Sequence, residues 1–139
     1  MKTKKILMYL WASPVTLLGL LYVSLFQLFG WYIWSEKSGD AFIWELDDSS
    51  APPWLISLWE PWAGHAIGNI VVLRESPHAN PGTLAHEKVH VDQVMRLGVF
   101  QPVLYLLFLI LIRVFVPSIS PYRFNPFEIE ARVKSDQNI

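Results

Sequence analysis

The sequence predicts a mainly α, α+β membrane protein, and three observations carry that prediction. A nearly uncharged run from Ile6 to Trp34 exceeds the roughly 20 apolar residues that a bilayer-spanning helix needs. Hydrophobic residues make up 53% and charged ones 17% of the chain, where soluble domains average roughly 45–50% and 25%. After that run, short aromatic and β-branched stretches precede segments with helical patterning. The 139 residues have room for one small domain. They divide into an N-terminal membrane anchor over residues 1–34 and a membrane-associated domain over residues 35–139.

Three lysines, Lys2, Lys4 and Lys5, open the chain. The expected spanning part runs from Pro14 to Trp31, with Trp11 marking one interface and Trp31, Tyr32 and Trp34 the other. The apolar run is too long for a cleaved signal peptide, and no small-residue cleavage site follows it. The lysines place the N-terminus in the cytoplasm and the remaining chain on the outer, periplasmic face of a bacterial inner membrane. The acidic segment Glu36 to Asp48 suits that side, and Ala41 to Leu46 within it reads as a strand. Ser49 to Trp54 is a turn, and Leu55 to Trp62 a short interfacial helix. Ala66 to Arg74 reads as a second strand, with Gly68 allowing close backbone approach. Asn80 or Thr83 caps a helix that begins at Pro81 or Thr83 and ends at Leu97 before Gly98. A second apolar stretch, about residues 99–116, contains Pro102 and Arg113 and is barely long enough to span. A last helix follows Asn125.

The chemistry lies in His86-Glu87-Lys88-Val89-His90. On a helix, residues four apart stack on one face, so His86 and His90 can share one metal ion. Glu87 lies one step round, near enough to take a proton from a water activated there. Two imidazole ligands and a general base at this spacing point to metal-assisted hydrolysis, with Zn²⁺ as the cofactor. Gln93 falls on the same face. It is a candidate to hold a ligand or substrate. A third protein ligand is required, and Asp92, Glu128 and Glu130 are the nearest acidic residues; Asp92 is turned away from the shared face. His65 and His78 are placed in loops without ligand spacing.

A net charge of −1 without a basic cluster argues against nucleic acid as a partner. The absence of cysteine excludes disulfides, thiolate catalysis and cysteine-rich zinc sites. The partners expected are the lipid bilayer, a peptide or protein substrate, and a membrane protein partner.

Three segments carry a family resemblance: Tyr9 to Leu21, His86 to Gln93, and Tyr122 to Arg132 with its Asn125-Pro-Phe-Glu-Ile-Glu-Ala core. Together they resemble a family of small, uncharacterised bacterial membrane proteins. More distantly, the two later segments resemble the gluzincin metallopeptidases, in which a glutamate on a following helix completes a His-His-Glu zinc site. That resemblance implies a minimal zincin-like domain with a short β-hairpin or small sheet. It makes Glu128 the third ligand, with Glu130 in reserve, and suggests Tyr122 as a stabiliser of the tetrahedral intermediate. Arg132 stands where membrane-embedded gluzincins have aspartate. The implied activity is peptide-bond hydrolysis, and the alternative is a non-catalytic membrane subunit that keeps the fold.

One conflict follows. If residues 99–116 cross the bilayer, His86 and Glu128 end on opposite faces and cannot share an ion. The positive-inside rule favours the crossing through Arg123, Arg132 and Lys134. Pro102, Arg113 and the short length favour a re-entrant, packed or interfacial helix that returns the chain to the same side, and this second arrangement is the one expected.

Overall fold

The computed structural model describes residues 2–137. They form five helices and a four-stranded sheet: α1 (Lys2–Leu28), β1 (Tyr32–Ser38), β2 (Ala41–Leu46), α2 (Pro53–Trp59), β3 (Gly64–Ile67), β4 (Ile70–Leu73), α3 (Pro81–Leu97), α4 (Phe100–Phe115) and α5 (Pro126–Lys134). The strand order is β1-β2-β4-β3, with β2 and β4 parallel and the outer pairs antiparallel.

Alternation along the strands splits the core in two. Ile43, Val71 and Leu73 face α3, packing on Val91, Val94 and Met95 together with Ala12 and Val15 of α1. Trp44, Ile70 and Val72 point the other way, toward Leu55 and Trp59 of α2 and Val23 of α1. The helix α1 is long and apolar enough to cross a membrane. It nevertheless contributes to both halves of the core.

Several elements differ from the expected ones. The stretch from Ala66 to Arg74 is not one strand but the turn and second arm of a hairpin, because Gly68 adopts φ +64° and reverses the chain with Asn69. Gly68 is also pressed against α1: a Cβ there would lie 2.4 Å from the Thr16 backbone nitrogen. Tyr32 to Ser38, divided between anchor and acidic segment in the sequence reading, forms β1 and pairs with β2. The first helix runs from Lys2 to Leu28, starting earlier than Pro14 and stopping before Trp31. The tryptophan-rich segment is helical over Pro53–Trp59, and its Leu55 and Trp59 are buried.

The helix α3 has the ends expected of it. The Asn80 side chain accepts from the Thr83 N–H, Pro81 fills the first turn, and Gly98 closes the helix at φ +58°. There the chain bends by 114° into α4. It then folds back, and α5 packs against α3. Asn125, fully buried, fixes the return by donating from Nδ2 to the Tyr105 carbonyl at 3.0 Å.

Candidate metal centre

The site is built from one face of α3 and the first turn of α5. His86 and His90 project from successive turns of α3, and α5 presents Glu128 to both. The two Nε2 atoms lie 3.2 Å apart; Glu128 Oε2 is 3.1 Å from His86 Nε2, and Oε1 is 3.3 Å from His90 Nε2. All three residues are buried, and they could hold a metal ion. Tetrahedral zinc with bonds of about 2.0–2.1 Å holds its ligand atoms about 3.3 Å apart, so this donor set fits such an ion. The distances also mean that residues 99–116 do not carry Glu128 away from the histidines.

Hydrogen bonds around the trio select the state a metal needs. The Gln93 amide group donates to the Phe127 carbonyl at 3.0 Å and to Glu130 Oε2 at 2.9 Å, which leaves its oxygen facing His90. His90 Nδ1 therefore donates to Gln93 Oε1 at 2.8 Å. In the neutral ring that arrangement leaves Nε2 as a free lone pair directed at the trio. Glu128 receives a second anchor, since the Tyr105 hydroxyl donates to its Oε1 at 2.7 Å. His86 Nδ1 is buried and has no hydrogen-bond partner among the described residues. The His86 residue borders a small cavity of about 160 Å³ shared with Glu87, Tyr122 and Arg132.

The electrostatics separate the two glutamates. Burial pushes the Glu87 carboxyl up to about 7; His90 and His86 pull against that rise, and the Glu128 charge adds to it. Burial raises Glu128 too, but the His86 and His90 rings and the Tyr105 hydroxyl beside it outweigh that and hold this carboxyl well below the usual range. His90 moves the opposite way: burial lowers it, yet Glu128 and Glu87 bring it above its ordinary value. A carboxylate of the trio that stays ionised thus sits beside a carboxyl poised to exchange a proton near neutrality.

The remaining sequence candidates fall around this centre. Glu130 stands outside the trio, paired with Arg96 at 2.9 Å and Lys134 at 2.6 Å while it accepts from Gln93. It acts on the site through Gln93. Tyr122 borders the same main cavity as Glu87 and Glu128, and burial followed by those two charges raises its hydroxyl well above the ordinary range. Asp92 is exposed and paired with Arg96 at 3.0 Å. His78 is exposed and lies 3.6 Å from Glu36, away from the trio.

Two residues were missed. His65 is on β3 rather than in a loop and stacks on Trp59 at 4.6 Å between centroids. It lines the main cavity, about 520 Å³, together with Glu87, His90, Tyr105, Tyr122 and Glu128. Burial pushes its imidazole down to about 4, so it is neutral at pH 7. The other is Tyr105. Its signal was present in the sequence, since Gln101 and Tyr105 fall four apart on one face of a helix that is otherwise apolar except for Arg113.

Compared with protein-family models, curated proteins and solved structures, the chain matches none.

If the trio holds a metal ion, replacing Gln93 with Ala or Tyr105 with Phe is expected to weaken its binding by about 10- to 100-fold without abolishing it, the range typical of residues that hold a metal ligand. Competition with a chromogenic chelator measures this, and unchanged affinity in both variants would remove their supporting role. A pH dependence follows from Glu87. Its folded value lies above the unfolded one, so the folded state binds the extra proton and stability falls as pH rises from about 4.5 to about 7. For the metal-free protein that loss is on the order of 3 kcal/mol. Glu87→Gln should flatten this part of the melting-temperature profile relative to wild type; parallel profiles would contradict the assignment.

Proposed function

We propose that the chain is a membrane-associated, zinc-dependent metallopeptidase with a minimal zincin-like domain. The observation that supports this most is the convergence of His86, His90 and Glu128, with Glu87 lining a cavity that His90 and Glu128 also border. His86, His90 and Glu128 would hold Zn²⁺. The ion, when bound, supplies a Lewis acid that polarises a carbonyl and makes water nucleophilic at neutral pH.

The chain's own residues supply the rest. The Glu87 carboxylate takes a proton from the attacking water and passes it to the leaving amine, a task suited to a group titrating near 7. Tyr105 and Gln93 keep Glu128 and His90 in place. β3 is an edge strand and its residues line the cavity, so an extended peptide can add along that edge with its scissile bond beside Glu87. His65, neutral and in contact with Trp59 and Trp62, lines the same cavity.

A second reading, a non-catalytic membrane subunit, draws on Arg132. It occupies the place where the resembling peptidases carry an acidic residue, and the His86 Nδ1 atom has no acceptor. Hydrolysis of a fluorogenic peptide pool by the zinc-loaded, full-length protein in vesicles separates the two. Glu87→Gln should keep its zinc and lose activity by about 10²- to 10⁴-fold, the usual contribution of a general base. Equal rates for variant and wild type would sink the assigned role. No hydrolysis by the loaded wild type would favour the subunit.

A further inference from the structure

We propose that the protein lies on one leaflet of an anionic phospholipid bilayer, with α1 and the outer face of α4 against the membrane instead of α1 crossing the bilayer. The faces of α1 separate cleanly. Ala12, Val15, Gly19 and Val23 are buried, whereas Leu10, Leu17, Leu21, Leu25 and Leu28 on the opposite side are exposed. The helix α4 repeats the pattern. Its Tyr105 and Phe108 meet α5, and Val103, Leu106, Ile110 and Val114 are exposed on the other side. Trp11 and Phe100 touch, with ring centroids 5.9 Å apart, so the two apolar surfaces meet at the start of α4.

What covers this surface follows from what α1 is tied to. Near its start, Lys5 pairs with Asp40 at 2.8 Å. In its middle Thr16 donates to Asn69 at 2.8 Å, and near its end Gln27 accepts from the Trp44 indole at 3.0 Å. Asp40, Asn69 and Trp44 all belong to the one sheet and its turns. An α1 that crossed the bilayer would carry this sheet into hydrocarbon. The sheet is open, with β1 and β3 as its edges, and β1 carries Glu36 and Lys37. Edge N–H and C=O groups find no partner in lipid, and only closed barrels and helices avoid that penalty.

Lipid is therefore confined to the outer flank. A 27-residue helix with one apolar flank, tied along its length to an open sheet, is an in-plane element. Lys2 and Lys4 at the start of α1 and Arg113 near the end of α4 are exposed and suited to headgroup phosphates. The apolar length that reads as a crossing in the sequence serves here to cover area.

The chain has no cysteine, so single cysteines report topology directly. Wild type, Lys4→Cys and Asp48→Cys would be synthesised without cells in the presence of sealed phosphatidylethanolamine–phosphatidylglycerol vesicles, then floated and treated with a membrane-impermeant maleimide. Both cysteines should label from outside as fully as they do after detergent is added. Protection of either one until detergent is present would show a crossing α1 and overturn the proposal, as would failure of the wild type to float. Ile110→Cys carrying an environment-sensitive fluorophore should shift to the blue with vesicles; an unchanged spectrum would overturn the part assigned to α4. No zinc is needed for these readouts, so their failure is separable from failure of the peptidase reading.

Discussion

Gln93 is the side chain on which the centre depends. It is fully buried on α3, and its amide group is committed to α5 through the Phe127 carbonyl and Glu130. Its oxygen has one use left, to accept from His90. A buried amide with unmet hydrogen bonds is costly, so the position of α5 and the tautomer of His90 are set by the same residue. Once α5 is held there, Glu128 faces both histidines without further adjustment. Asn125 and Tyr105 secure the same return from the α4 side. The elements that create the His-His-Glu cluster are thus joined by polar contacts in a region otherwise dominated by apolar packing.

A second constraint acts at the other side of the fold. Gly19 and Gly68 let α1 approach the hairpin so closely that a Cβ at Gly19 would lie 2.4 Å from the Ile67 carbonyl oxygen. The hairpin thereby holds β3, His65 and the cavity wall in place. The helix that makes the chain look like a membrane protein is also the support for the strand beside the site. The helix long and apolar enough to cross a membrane and the support of the strand beside the site are one element.

How much of this was legible in the sequence depended on range. The pairing of His86 with His90 and the place of Gln93 follow from helical periodicity within eight residues, and the caps Asn80 and Gly98 stand where local rules put them. Glu128 came from resemblance rather than spacing, because the α4 excursion separates it from the histidines. The aromatic residues Trp31, Tyr32 and Trp34 fit an interfacial belt as well as a strand, and the pairing with β2 that decides between them is not local. Gly68-Asn69 was a hairpin signal between two apolar arms, and reading it as a close-approach glycine inside one strand hid the position of His65. Tyr105 stood out in its apolar helix, yet its partner is 23 residues away.

The central claim is that His86, His90 and Glu128 form one metal site on one side of any membrane. Metal analysis of the purified full-length protein in detergent tests it most directly, comparing wild type with His86→Ala, Glu128→Ala and Glu130→Ala. The account predicts about one zinc per chain in wild type and Glu130→Ala and almost none in the other two, as expected when one of three protein ligands is removed. Full zinc content in Glu128→Ala, or a metal-free wild type prepared without chelator in zinc-containing buffer, would contradict it.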